Sequence, residues 1–259
     1  MGVVNITHDS FSDGGTYFNP QAAIDHTRKL IEEGADLIDL GGQSTRPGSQ
    51  PVGSEEELKR VLPVLKAIRK ESNTWISIDT YRSDVAAACI AEGADLINDV
   101  SSFRMDAAMA PLLAREKIPV VCMHFLDSIH PMPSNPQYAD LFGEILEFFQ
   151  ETFRIARDAG IDAGRLVVDP GIGFGKTLQH NLQILNHLDF LKPLNRPVLV
   201  GPSRKSFIGK ITGLPASERI EGSAAAVAAG IIGGAHIIRV HDILFFRRFC
   251  DVLDQILSS

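Results

Sequence analysis

Short apolar runs punctuate the chain at residues 2–6, 37–40, 76–78, 96–97, 120–123, 166–168, 198–200 and 237–240. They lack the strict apolar–polar alternation of a strand with one wet face, which is the pattern expected of a parallel sheet covered on both sides. Between them lie stretches with apolar residues at helical spacing, over 22–33, 54–70, 83–92, 107–117, 141–159 and 217–233. Three segments repeat one template of helix end, Gly-Ala, apolar strand and polar cluster: Glu33-Gly34-Ala35-Asp36, Glu92-Gly93-Ala94-Asp95 and Gly233-Gly234-Ala235-His236. The glycine fits a helix C-cap. Regular β–α alternation across 259 residues favours a single-domain (β/α)8 TIM barrel spanning 1–259 over an open doubly wound sheet. No Pro/Gly/Ser-rich linker or low-complexity tract divides the chain. Two connections, 7–19 and 41–53, are long and polar, and covering loops are expected there.

Composition narrows the class without naming it. Apolar residues at 44% support a substantial core, and no apolar stretch approaches the ~20 residues of a membrane span. A net charge of -7 disfavours nonspecific nucleic-acid or membrane binding, so cations at strand ends point instead to a local anion site. No secretory signal is recognisable at Met1-Gly2-Val3-Val4-Asn5, and a cytoplasmic address is the expectation. Because the first run starts at residue 2, a naturally short chain, a trimmed one and a piece of a longer protein all stay open. Cys89, Cys122 and Cys250 have no metal-site or redox spacing and read as buried thiols.

Barrel sites are built where strands end, so the residues after each run carry the chemistry. These are Asn5, Ser44-Thr45-Arg46, Asp79, Asn98-Asp99, His124, Asp169, Ser203-Arg204-Lys205 and Arg239-Val240-His241-Asp242. Any one alone reads as a cap or a surface polar residue. In register after every strand, they make a site. Asp79, Asn98 and Asp169 supply acceptors and amides, suiting the aminopyrimidine edge of a flat heterocycle, because a carboxylate accepts two parallel N–H donors. Arg46, Lys205, Arg239 and His241 supply cationic donors for a phosphate or diphosphate.

Asp169-Pro170-Gly171-Ile172-Gly173-Phe174-Gly175-Lys176 leaves a strand with alternate glycines, yet Pro170 stands where a Walker loop needs glycine. A tight turn beneath a planar ligand is the plainer reading. His8, His124, His130, His180 and His241 show no zinc spacing; a magnesium ion (Mg2+) held by Asn5 and substrate phosphates fits better. Lys205 lacks an obvious acid partner for Schiff-base chemistry, and Ser203 and Ser206 lack a nucleophile elbow.

The ordered segments Asn5-Ile6-Thr7-His8-Asp9-Ser10-Phe11-Ser12-Asp13-Gly14-Gly15, Gly41-Gly42-Gln43-Ser44-Thr45-Arg46-Pro47-Gly48, Ser77-Ile78-Asp79-Thr80, Ile97-Asn98-Asp99-Val100, Met123-His124, the Asp169 to Lys176 stretch, Ser203-Arg204-Lys205-Ser206 and Arg239-Val240-His241-Asp242 resemble the dihydropteroate synthase family over nearly the whole chain. The resemblance implies that a pterin diphosphate is joined to p-aminobenzoate. It implies a pterin pocket of Asp79, Asn98, Asp169 and Lys205, lined by Met123, Phe174 and Gly201. Asn5 through magnesium, Arg239 and His241 would bind the diphosphate. Thr45, Arg46, Pro47 and Ser206 would contact p-aminobenzoate, Asp13 would order the site, and the chain would pair as a homodimer. Asp13, Lys205, Arg239 and His241 are the catalytic candidates. The chain departs from the family in His8, where proline is usual, in Gln43, where glutamate is common, and in Phe125-Leu126-Asp127 after Met123-His124.

Two other readings are distinguishable. A pterin methyltransferase feeding a corrinoid partner has no need of the Ser-Thr-Arg-Pro loop or the Arg-x-His pair. A noncatalytic pterin-binding relative would have lost mobile-loop residues, whereas Asp13, Thr45 and Arg46 are present.

Overall fold

The computed structural model describes residues 1–7, 19–43, 52–126 and 135–259. Strands β1 (Gly2–Asn5), β2 (Leu37–Gly41), β3 (Trp75–Asp79), β4 (Leu96–Asp99), β5 (Val120–Met123) and β6 (Leu166–Asp169) form a parallel sheet in that order, and β7 (Leu199–Val200) pairs with β8 (Ile237–Ile238). Two bridges join these pieces into a ring. Val168 meets Val198 between β6 and β7, and Gly2 meets Val240 between β8 and β1, where Val3 N donates to Val240 O (3.1 Å) and Val240 N to Met1 O (2.9 Å). The result is a closed (β/α)8 barrel.

Helices α1 (Pro20–Glu32), α2 (Ser54–Arg69), α3 (Ser83–Ala91), α4 (Met109–Glu116), α5 (Leu141–Asp158), α6 (Leu178–Asn186), α7 (Ser206–Thr212), α8 (Ile220–Ile232) and α9 (Ile243–Ser258) ring the strands. The repeated Gly-Ala template is a helix stop. Gly34, Gly93 and Gly234 have φ of +95°, +94° and +102°, a region in which a β-carbon is disfavoured. Their N–H groups bond Ile31, Ile90 and Ile231 carbonyls, and the next alanines bond Leu30, Cys89 and Gly230. That paired closure is a Schellman motif, used here to turn each helix end into the next strand.

Strand residues divide by parity. Outward positions such as Val4, Ile38, Leu40, Ile76, Ile78, Ile97 and Val168 pack against the helices in the main core. Inward positions Met1, Leu96, Val121, Val167 and Leu199 make a separate apolar plug, with Leu37 and Ile237 against it. Both faces are apolar low in the barrel, which is why no alternation shows in the sequence. Two residues beyond Leu37, Leu96, Val121, Val167, Leu199 and Ile237 the inward positions become Asp39, Asn98, Met123, Asp169, Gly201 and Arg239, and Asn5 and Asp79 end β1 and β3 at the same mouth.

Expected and observed elements agree to within a few residues, with exceptions. Helices α6 and α7 were not anticipated, because both are short and follow motif-rich turns. The expected helix over 217–233 breaks into a 3-10 turn (Ala216–Glu218) and α8. Cys89 and Cys122 are buried as expected, but Cys250 is only half-buried, because α9 leaves part of its surface uncovered.

Candidate active site

Asn5 closes β1, Asp79 closes β3, Asn98 lies in β4, Met123 closes β5, Asp169 closes β6, and Gly201 and Arg239 follow β7 and β8. All strands run in one direction, so these residues share one mouth of the barrel, joined there by Lys205, Ser206 and His241 on the turns beyond β7 and β8. Asp13, Thr45, Arg46 and Pro47 lie outside the described residues, as do His8 and His130. A cavity of about 530 Å³ at the opposite mouth, among Leu37, Trp75, Ile237 and Cys250, contains none of the candidate residues.

Arg239 sits at the centre of the charged layer. Its Nε donates to Asp39 Oδ2 (2.6 Å) and an Nη to Asp79 Oδ2 (3.0 Å). Asn98 Nδ2 also donates to Asp39 Oδ2 (3.2 Å), so one fully buried carboxylate fixes both a guanidinium and an amide. The expected separation of acids from cations therefore does not hold at Arg239. A cation this enclosed must be paired within reach, and acids two and three strands away around the ring provide the pairing. Burial, followed by the negative Asp39, pushes the Asp79 carboxyl up to about 7. Asp39 did not figure among the sequence candidates.

Asp169 Oδ1 accepts the Gly171 N–H (2.7 Å), and burial raises its carboxyl above the ordinary range while that bond opposes the shift. The glycines that follow are there for shape. Gly171, Gly173 and Gly175 all have positive φ (+71°, +86°, +58°). A β-carbon on Gly171 would fall 1.9 Å from the His124 carbonyl oxygen, and one on Gly173 would meet Lys205 Cδ at 3.1 Å. The turn thus lies flat across β5 and under Lys205, whose Nζ is 4.2 Å from the Phe174 ring centre. Burial and the neighbouring Arg239 lower the Lys205 ammonium to about 8. Phe174, Tyr81 and Phe125 pack on Met123 and Val100, giving an apolar wall beside the carboxylates.

Lys176, also missed in the sequence, holds this turn from beneath. Its Nζ lies 2.9 Å from His124 Nδ1 and donates to the Phe174 carbonyl (3.0 Å). Burial brings the ammonium down to about 7, and burial with Lys176 nearby holds His124 neutral, at about 2. His241 Nδ1 is 3.0 Å from Ser203 Oγ, and burial together with Arg239 and Arg204 lowers it to about 4. It was expected among the cations. Here it is a neutral imidazole at pH 7, a hydrogen-bonding group rather than a charge.

Asn5 was expected to hold a hard divalent ion. Its amide oxygen has no hydrogen-bond partner among the described residues, and Gly41 keeps the space beside it open: a β-carbon there would lie 3.8 Å from Asn5 Oδ1 and 3.6 Å from Asp79 Oδ2. No cluster of three or more His, Cys, Asp or Glu forms among the described residues, so an ion would draw most of its oxygens from phosphate and water. The donor set fits magnesium used in that way.

Residues 1–241 match the family described as pterin binding enzyme. A dihydropteroate synthase from Clostridium beijerinckii is 44% identical over 257 residues, covering 99% of this chain and 93% of that protein. Among solved structures, a dihydropteroate synthase from Clostridium difficile in the presence of pteroic acid superposes with a TM-score of 0.94 at 40% identity, covering 100% of this chain and 96% of that one. The Xanthomonas albilineans dihydropteroate synthase with 4-aminobenzoic acid gives 0.90 at 43% identity, covering 100% and 91%.

Proposed function

Since the chain belongs to the pterin-binding enzyme family, among the dihydropteroate synthases, we propose how its residues divide the work of that transferase. The enzyme condenses hydroxymethyl-dihydropterin diphosphate with p-aminobenzoate, releasing diphosphate and leaving dihydropteroate. In our reading Asp79, Asn98, Asp169 and Lys205 hold the pterin, with Met123, Phe174 and Gly201 as walls. Thr45, Arg46, Pro47 and Ser206 take p-aminobenzoate, and Asp13 orders the closed site. The observation that carries this assignment is the placement of two buried carboxylates and an amide on β3, β4 and β6 at one mouth, beside an aromatic wall and one lysine.

Asp79 and Asp169 accept the N–H edge of the pterin, and their raised affinity for protons makes them strong acceptors once ionised. Arg239 and His241 face the departing diphosphate, Arg239 by charge and His241 by hydrogen bonding. Asn5 would hold magnesium, which when bound neutralises charge on the leaving diphosphate. Positive character develops on the exocyclic methylene, supported by the electron-rich ring, and the arylamine of p-aminobenzoate attacks it. The nucleophile loses its proton to solvent or to the departing diphosphate. The protein contributes orientation and fixed charge, and needs no covalent intermediate. We also place the chain in a homodimer, for which the exposed Ile232, Leu244, Phe245, Val252 and Ile256 of α8 and α9 provide apolar surface; sedimentation tests it. No helix among the described residues is long and apolar enough to cross a membrane, and the cytoplasmic address is part of the proposal.

Mixing the folded chain with hydroxymethyl-dihydropterin diphosphate, p-aminobenzoate and magnesium should release diphosphate, and no release would overturn the reading. Arg239→Lys is the variant to add. Arg239→Ala would strand Asp39 and Asp79 together and disturb the pterin acids as well as the diphosphate.

A further inference from the structure

Strands β7 and β8 are the shortest in the ring, two residues each and paired with one another at Leu199–Ile237 and Val200–Ile238, yet the turns beyond them carry Lys205 and His241. Past the bond from Arg239 N to the Val200 carbonyl (2.9 Å), side chains take over the joining of these two turns. On the inner side Ser203 Oγ lies 3.0 Å from His241 Nδ1 and accepts the His241 main-chain N–H at 3.4 Å. On the outer side the Arg204 guanidinium grips both carboxylate oxygens of Asp242, Nε donating to Oδ2 at 3.1 Å and an Nη to Oδ1 at 2.5 Å. Neither Arg204 nor Asp242 takes part in the assignments above.

Arg204 holds a left-handed backbone conformation, with φ +58°, that glycine would adopt without strain. Its main chain is fixed on both sides. The N–H donates to Ser223 Oγ on α8 (2.9 Å), and the carbonyl accepts from an Nη of Arg219 (3.0 Å), which also reaches the Lys205 carbonyl (3.3 Å). None of these bonds uses the Arg204 side chain. What the side chain adds is the reach across to Asp242, while its neighbour Lys205 points the other way, over the Phe174 ring. Asp242 in turn makes no side-chain cap bond to α9, and its described partner is Arg204. The pair is partly open to water, where an ion pair adds little to stability, so what it supplies is geometry.

We infer that Arg204 and Asp242 are positioning residues that hold the β7 and β8 turns in register, so that Lys205 and His241 meet one substrate at a fixed spacing. A single hydroxyl contact such as Ser203 to His241 lets the turns pivot, whereas two parallel bonds between planar groups set both distance and orientation. The inference rests on the reading of Lys205 as a pterin contact and His241 as a diphosphate contact. A ligand that touches one turn alone is indifferent to the spacing. A molecule carrying ring and diphosphate together is held at both turns at once, and gains from a preset separation as any two-point ligand does.

Calorimetry on the full chain with magnesium, comparing the pterin diphosphate with bare hydroxymethyl-dihydropterin, tests this through the ratio of the two affinities. Arg204→Gly keeps the backbone bonds and removes the fork, and Asp242→Ala removes its partner. Each is expected to lower the ratio by about tenfold, through weaker binding of the diphosphate, with bare-pterin affinity and the urea midpoint as in the parent. The double variant should be no worse than either single change, because there is one join to lose. Additive losses in the double variant would overturn the inference. So would an unchanged ratio, whether neither ligand loses affinity or both lose it equally through general destabilisation. His241→Ala, measured alongside, tests the premise. A lower ratio there with an unchanged one in Arg204→Gly refutes the positioning role alone, whereas an unmoved ratio in His241→Ala removes the reading and the inference with it.

Discussion

Gly171→Ala is the substitution for which the structure makes the sharpest demand. Residue 171 has φ +71°, and a methyl group there would overlap the His124 carbonyl oxygen at 1.9 Å. Left-handed backbone costs a non-glycine residue about 1–2 kcal/mol. Pushing a buried main-chain carbonyl aside adds roughly 1–3 kcal/mol, as for other overpacked cores. Gly213 separates the two contributions, because it has nearly the same φ (+74°) and nothing within 4 Å of its would-be β-carbon. Gly213→Ala should therefore show only the first cost, and Gly171→Ala both. For a chain of this size each kcal/mol moves Tm by about 2–4 °C, so urea and thermal unfolding resolve the difference. A functional consequence separates them as well. The Gly171 N–H holds Asp169 Oδ1 at 2.7 Å, and His124 N donates to the Asp169 carbonyl (2.8 Å). Shifting this turn turns Asp169 away from the pterin, so Gly171→Ala should weaken pterin binding by calorimetry while Gly213→Ala leaves it intact. Equal destabilisation of the two, or a destabilised Gly171→Ala with unaltered pterin affinity, would refute the reasoning.

Other perturbations bear on the charged layer. With the Asp79 carboxyl at about 7, its acceptor form grows as pH rises, so pterin affinity should climb about tenfold between pH 6 and 8 in the parent and stay flatter in Asp79→Asn; a flat parent profile counts against Asp79 as a pterin acid. Asp39→Asn removes a negative neighbour that raises Asp79, so the midpoint of that profile should move to lower pH; the weakened bond to Arg239 should also cost about 1.5–3 kcal/mol in urea unfolding. Chelating magnesium should abolish diphosphate release while leaving calorimetric binding of bare pterin unchanged, and loss of both would remove Asn5 from the assignment as drawn.

The barrel was legible because each strand is a compact apolar run and three helix stops repeat one Gly-Ala pair. The site was legible to the extent that its residues end strands: Asn5, Asp79, Asn98, Asp169 and Arg239 all follow from that rule. Asp39 and Lys176 did not, since their importance lies in whom they bond. Arg239 and Asp39 stand 200 positions apart, and Lys176 and His124 stand 52 apart. A signal for Asp39 was nonetheless present. It is a charged residue inside an otherwise apolar strand, two positions before Gly41, and so on the same inward face as the strand end. Helix α7 was hidden by the motif that opens it, because Lys205 and Ser206 drew attention as substrate contacts and not as a helix start.

Counting inward by twos also explains why this site can hold so many charges out of water. Below it, Met1, Leu96, Val121, Val167 and Leu199 fill the barrel and exclude solvent. In the layer above, Asp39, Asp79 and Asp169 lie among the cations Arg239, Lys205 and Lys176, and all six are enclosed. Burial makes ionised carboxylates costly here, and the raised Asp79 and Asp169 carboxyls express that cost, Asp79 being pushed further by the negative Asp39. A flat ligand that donates N–H bonds to those carboxylates relieves it directly. An anionic group arriving at Arg239 competes with Asp39 and Asp79 for the same guanidinium, and is tolerated best when the N–H donors are already on Asp79. In the proposed assignment the pterin ring and its diphosphate are thereby linked through Arg239, and a substrate carrying both gains from a charge layer that neither half satisfies alone.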